Sequence, residues 1–285
     1  MSRFQVFEAD VKSILSSTSG FIYEAGFTHS LTPARNCTFA CTYCYVPTMR
    51  IYGGLKREDW ERWGQFTTAK TNAPELLLRE LRESQIIYCS PLVDPYQPAE
   101  MELQLMPRVL DSLLARPPKV FVVQTRGPLI LRDVERLKAL SRHCVLRVSF
   151  SVTTDCEDVR RLFEPHCATF EERLETILRL NLHGIETYAT LAPLLPCANL
   201  ETLAKRALEA SGRDLIGDPL HVRQVKRQGA TTREAAYTIA RHHGFMQWFD
   251  PVFQNEASAQ IGAIALDAGR RFATGVEGFS WLAKF

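Results

Sequence analysis

Short apolar runs rich in Val, Ile and aromatic residues alternate along this chain with longer stretches of helical periodicity. The runs QIIYCS (85–90), KVFVVQT (119–125), HCVLRVSFSV (143–152), GIETYATLA (184–192) and LHVRQV (220–225) are bounded by Pro, Gly or Asp and predict strands. Helices are predicted between them over residues 74–84, 100–115, 132–142, 170–183 and 199–211. In the first, Leu76, Leu77, Glu80 and Leu81 take the i, i+1, i+4, i+5 spacing of a stripe that faces a core. Leu174, Ile177, Leu178 and Leu182 form a second such stripe. Pro74 suits a first helical position, and Asn199, followed by Glu201 and Thr202, suits a helix cap. The segment ahead of these runs reads as a polar N-terminal region. Strands separated by helices predict a parallel sheet with right-handed crossovers, doubly wound or closed toward a barrel. In both, ligands gather beyond the carboxyl ends of the strands.

Length and charge narrow this picture only a little. The 285 residues fit two domains or one α/β barrel. With 34 basic and 32 acidic residues the net charge is +2, which excludes an acidic tail or a polybasic binding protein. Only eight of the basic residues are Lys, and the excess of Arg suits forked contacts to carboxylate or phosphate. Acidic residues interrupt the N-terminal window where a signal peptide needs an apolar stretch, and prolines break the longest oily patch, TLAPLLPC. The expectation is a cytoplasmic protein without a membrane span. GxGxxG, GxxxxGK[ST], HExxH and GxSxG are all absent, which disfavours a Rossmann cofactor, a P-loop and two hydrolase mechanisms.

Cysteine usage is more informative. Of eight cysteines, Cys37, Cys41 and Cys44 form C-x3-C-x2-C within PARNCTFACTYCYVP, and the other five are scattered. A structural zinc site wants four closed ligands, and no fourth Cys or His lies nearby in sequence. A four-iron cluster can instead take three thiolates and leave its fourth iron open to a small molecule.

This loop, with Tyr43 just before its last cysteine, is similar to that of the radical S-adenosylmethionine (SAM) superfamily. YCSPLVDPYQPAE (88–100), VQTRGPLILRDVERL (123–137), SFSVTT (149–154), FEPHCATFEERL (163–174) and GIETYATLAPLLP (184–196) resemble, in order, the spore photoproduct lyase-like branch. The resemblance implies an α/β fold, a partial (β/α)6 barrel with mostly parallel strands, whose first loop carries the cluster. It implies a 4Fe–4S cluster on Cys37, Cys41 and Cys44, SAM chelated at the open iron, and reductive cleavage to a 5′-deoxyadenosyl radical that abstracts hydrogen from substrate. An external electron donor of flavodoxin or ferredoxin type is implied as well.

Further residues follow from the same resemblance. Tyr43 is expected beside the adenine, Arg126 and Arg173 at the SAM carboxylate, with Glu164 orienting Arg173, and Ser151 and Thr153 at the ribose. Alternation along that strand places Ser149, Ser151 and Thr153 on one face. The superfamily's GGE motif is missing, and Asp94 or Glu100 is expected to replace it at the SAM amino group; a rigid turn with Pro95 and Pro98 is the other reading. Cys89 stands where the lyases keep a hydrogen donor, but its spacing to Asp94 departs from C-T-S-D, and a packed thiol is the alternative.

Residues 45–72 hold Tyr45, Tyr52, Trp60, Trp63 and Phe66, either a lid over the site or a small satellite core. A lid of this composition keeps a nucleoside or nucleic acid among the candidate substrates. The C-terminal stretch has no second cluster motif, and His242 and His243 read as surface or packing residues. The expected organisation is an N-terminal extension over 1–29, a barrel over 30–230 and a C-terminal region over 231–285 packed on it. The competing function is a non-catalytic iron–sulfur or zinc protein that binds nucleic acid or a protein partner.

Overall fold

Six consecutive parallel strands form the centre of an eight-stranded sheet in the computed structural model, which describes residues 4–48, 62–221 and 234–285. In chain order the strands of the molecule are β1 (Gln5–Ala9), β2 (Leu15–Ser17), β3 (His29–Leu31), β4 (Ala34–Arg35), β5 (Phe66–Lys70), β6 (Ile86–Cys89), β7 (Val120–Thr125), β8 (Val145–Ser151), β9 (Glu186–Leu194), β10 (Leu215–Pro219) and β11 (Phe272–Thr274). The large sheet has the order β11-β10-β9-β8-β7-β6-β3-β2, and only the β2–β3 pairing is antiparallel. β1, β5 and β4 make a second, three-stranded sheet. The large sheet reaches beyond residues 30–230 at both ends, through β2 and β11.

The strand alternation separates two cores. Ile87, Phe121, Val123, Val148, Phe150, Ala189 and Leu191 face the crossover helices, among them Ala73–Glu80, Leu105–Ala115, Phe170–Leu182 and Leu200–Ser211. Tyr88, Val120, Val122, Ala192, Ile216 and Ala273 face the other way and share one cluster with Phe27, Phe279, Trp281 and Leu282. That single cluster draws on β6, β7, β9, β10 and β11 together, so the sheet curls around it as a partial barrel. The helix Gly275–Ala283 supplies its filling.

Four predicted strands match β6 to β9 within a few residues. The fifth does not: the strand is β10, and residues 222–225 of the expected run lie outside the described ones. Gly217 and Pro219 disguise β10 as a turn. At Gly217 a Cβ would stand 2.6 Å from the ring of Phe272 on β11, which would have to shift to admit any larger residue. The predicted helix over 100–115 is two helices, Glu100–Leu103 and Leu105–Ala115, separated by Gln104 in the left-handed region at φ 49°. The buried carboxylate of Glu100 sets the break by accepting from the Met106 backbone N–H at 2.8 Å and from Arg132 at 2.9 Å. Residues 132–142 begin as a 3-10 turn, Pro128–Asp133, before the helix Val134–Leu140. The N-terminal region is less featureless than its sequence, yet β1 is exposed along nearly all its length and is held by pairing with β5.

Candidate active site at the carboxyl ends of the strands

The cysteine loop follows β4 and is gripped from two sides. On one side lies the turn after β6. The Thr38 backbone N–H donates to Gln97 Oε1 at 2.8 Å, and its hydroxyl accepts from the Ala99 N–H at 3.1 Å. On the other side lies the turn that closes the helix Glu157–Phe163. The Thr42 N–H donates to the Phe163 carbonyl at 2.9 Å, and His166 Nδ1 lies 2.9 Å from the Thr38 carbonyl. Asn36 and Ala40, each just before a cysteine, both adopt positive φ, so the chain turns sharply before Cys37 and again before Cys41.

The second grip carries the charge. Glu164 is fully buried, and each of its oxygens is doubly occupied. Oε1 accepts from Tyr43 Oη at 2.5 Å and from Arg126 Nη1. Oε2 accepts from Thr153 Oγ1 at 2.9 Å and from Arg173 Nη2. Burial alone would push this carboxyl up, but Arg173 and then Arg126 outweigh it and hold its pKa down at about 2. Glu164 is therefore an anion at neutral pH, held between two cations.

The two arginines differ in what remains available. Arg173 is sealed, its side chain 2% exposed, with Nε on the Ala168 carbonyl at 2.9 Å and Nη1 on Thr153 Oγ1 at 3.1 Å and the Ser151 carbonyl at 3.3 Å. Arg126, 13% exposed, donates from Nη1 to Glu164, to Tyr43 Oη and to Cys41 Sγ, the last at 3.5 Å. Its guanidinium carbon lies 5.8 Å from the centre of the Tyr43 ring. Its backbone N–H is fixed by Asp94 Oδ2 at 2.8 Å.

Tyr43, Arg126, Thr153 and Arg173 are thus brought together with Cys41 around Glu164. Ser151 borders the same network through its carbonyl, while its buried Oγ has no partner among the described residues. Asp94 spends its carboxylate on the Tyr96 N–H at 2.9 Å, the Thr125 hydroxyl at 2.6 Å and the Arg126 N–H. Cys89 has no exposure and shares the helix-facing core, and burial raises its thiol to about 12. No hydrogen bond among the described residues joins it to the Glu164 network. Cys37 and Cys41 are buried free thiols and Cys44 is half-buried. The Cys41 thiol is lowered, first by its bond with Cys167 and also by Arg126, against the opposing effect of burial.

Trp63 and Phe66 are buried, the latter within β5, while Tyr52 and Trp60 lie outside the described residues. His242 and His243 are exposed, and His243 stacks on Phe245.

Several residues here carry no sequence expectation, Gln97 and Cys167 among them. Cys167 Sγ lies 4.0 Å from Cys41 Sγ. Its loop is pinned by Arg160, whose Nη1 donates to the carbonyls of Glu164 at 3.0 Å and Cys167 at 2.9 Å. Cys41, Glu164 and Cys167 place one ligand atom each within 4.8 Å of one another. A mononuclear metal is nevertheless a poor occupant, because both oxygens of Glu164 already serve two arginines, a tyrosine and a threonine. Three thiolates that each bind a different iron of a cluster need no such close approach, and the donor set of Cys37, Cys41 and Cys44 fits that group. The unpartnered Ser151 hydroxyl likewise fits a polar molecule beside it.

A family model, the radical SAM superfamily, matches residues 31–207. An uncharacterized protein of Methanocaldococcus jannaschii is 27% identical over 160 residues, covering 56% of this chain and 58% of the relative. An uncharacterized protein of Mycobacterium tuberculosis is 27% identical over 177 residues, covering 60% and 50%. The chain thus aligns with about half the length of these relatives. Among solved structures, a mutant spore photoproduct lyase with bound AdoMet and dinucleoside spore photoproduct superposes with a TM-score of 0.56 at 13% identity, over 86% of this chain and 80% of that one. At this identity the likeness is one of fold. Among the described residues no helix is long and apolar enough to cross a membrane.

Proposed function

This chain belongs to the radical SAM superfamily, and from that premise we propose that it is an enzyme that reductively cleaves S-adenosylmethionine to start radical chemistry on a substrate held at the open end of the barrel. Cys37, Cys41 and Cys44 would hold a 4Fe–4S cluster. When bound, the cluster would pass one electron, drawn from an external donor of flavodoxin or ferredoxin type, to the sulfonium of SAM, so that its S–C5′ bond would break to give methionine and a 5′-deoxyadenosyl radical for hydrogen abstraction.

The chain's own residues position and shield. The observation that carries the reading is the Glu164 network, which fixes Arg126 beside Cys41 with its charge only partly compensated. Arg126 is the cation that receives the SAM carboxylate, a fork-to-carboxylate pairing. Arg173 holds Glu164 rather than the ligand, since its donors are consumed inside the protein. Ser151 offers its free hydroxyl to the ribose, and Thr153 keeps Glu164 oriented beside it. Tyr43 lends its ring to the adenine and its hydroxyl to Glu164. Asp94 ties the β6 turn to the Arg126 backbone, so it acts as a positioning residue. Cys89 serves packing on this reading, not hydrogen return. A nucleoside or nucleic acid, the ligand class in the spore photoproduct lyase structure, is the substrate class proposed.

The test is spectroscopic. Anaerobic reconstitution should load a cluster whose electron-paramagnetic-resonance spectrum changes when SAM is added. A loaded cluster whose spectrum ignores SAM would refute the proposal.

A further inference from the structure

Cys167 closes the turn that supplies Glu164 and His166 to the site, and its own thiol is directed at one particular sulfur. Among the described residues Cys41 Sγ is approached by Arg126 Nη1 at 3.5 Å, by Cys167 Sγ at 4.0 Å and by the Tyr43 hydroxyl. Arg126 and Cys167 come from turns at the carboxyl end of the sheet. The Cys167 turn is locked by Arg160 from one side and by the Cys167 N–H donating to the Glu164 carbonyl at 3.0 Å from within. Cys167 is 7% exposed, so water does not compete for Cys41 from that direction. Glu164 excludes Cys167 from a mononuclear metal site, as argued above, and leaves the thiol its proton.

We propose that Cys167 is a positioning residue that sets the reduction potential of the cluster by donating an S–H···S hydrogen bond to the Cys41 thiolate. This rests on Cys41 being a cluster ligand. A hydrogen bond to a ligating sulfur stabilises negative charge there, and reduction adds one negative charge, so the bond strengthens on reduction and raises the potential. Arg126 acts on the same sulfur, but it is also committed to Tyr43 and Glu164. Among the described residues Cys167 has no comparable second task for its side chain. The S–H bond stays intact throughout: the electron comes from the external donor, and no proton or electron passes through Cys167.

The experiment is a redox titration of the reconstituted full chain without SAM, followed by electron paramagnetic resonance, on wild type, Cys167→Ala and Cys167→Ser. At a fixed poise, Cys167→Ala is expected to show about a tenfold lower ratio of reduced to oxidised cluster, equivalent to about 59 mV for one electron. Cys167→Ser, which keeps a donor, should recover at least half of that shift. If the alanine variant does not fold, Cys167→Val removes the donor while filling the space. An unchanged potential at equal iron content overturns the proposal, and so does a loss of iron in Cys167→Ala, which would make Cys167 a ligand. Failure of the underlying reading is separate: it would appear as Cys41→Ala retaining a full cluster.

Discussion

Glu164 and Arg173 form an ion pair whose side chains are 0% and 2% exposed, and neither has an escape route to water. Removing Arg173 takes from the buried Glu164 carboxylate one of its two cations, leaving only Arg126, and empties the sealed space the side chain filled. Arg173→Ala is therefore expected to cost about 3–5 kcal/mol in urea unfolding. Lys205→Ala breaks the helical pair with Glu201, whose partners are 57% and 55% exposed, and should leave stability nearly unchanged because solvent screens that pair. Similar losses in the two variants would contradict the network described here.

The same carboxyl gives a pH dependence with a definite sign. Its folded pKa of about 2 lies below the ordinary value of 4.5. The stabilisation is therefore complete above 4.5 and is lost as pH falls toward 2. At neutral pH it amounts to about 3 kcal/mol at 1.36 kcal/mol per unit. The gap in unfolding midpoint between wild type and Glu164→Gln should narrow steadily over that window. A gap independent of pH would show that Glu164 is not held ionised by its arginines.

Ser151 and Thr153 stand on the same face of β8 and its extension, but only one is used inside the protein. Thr153→Val removes bonds to Glu164 and Arg173 and should destabilise by about 1–3 kcal/mol. Ser151→Ala removes a hydroxyl without a partner, so its thermal midpoint should hold while SAM affinity falls by roughly 3- to 10-fold, the worth of one hydrogen bond. Calorimetric binding alongside thermal unfolding separates the two.

Gly127 is the residue after Arg126, and a Cβ there would stand 2.3 Å from the Tyr96 carbonyl oxygen. Backbone cannot yield as a side-chain tip can. Gly127→Ala should therefore cost about 1–3 kcal/mol and weaken SAM binding by displacing Arg126, measured by the same two methods.

Much of this site was visible as residue types in order: three cysteines in one loop, Tyr43 beside them, and arginines and hydroxyls at strand ends. The crossover order was equally visible, because buried parallel strands such as β7 are continuous apolar runs. What stayed hidden depends on folding across distance. Cys167 is 126 positions from Cys41 and reads as one more scattered thiol. The partner of Glu164 could be named as Arg173, nine residues on, but not that Arg126 and Tyr43 share the same carboxylate. Asp94 looks like a free acid until Thr125 and two backbone N–H groups are seen to occupy it. β1 shows no alternation because both of its faces are largely exposed, and β10 is masked by the glycine that lets Phe272 approach.

The central claim is that the three-cysteine loop and the Glu164 network together cleave S-adenosylmethionine. Its most direct measurement is 5′-deoxyadenosine released anaerobically from SAM and dithionite by reconstituted wild type, Cys41→Ala and Arg126→Ala. The account predicts deoxyadenosine from wild type, none from Cys41→Ala, and a reduced yield from Arg126→Ala that higher SAM partly restores. Equal deoxyadenosine from wild type and Cys41→Ala, or none from a wild-type cluster whose spectrum is indifferent to SAM, would contradict it.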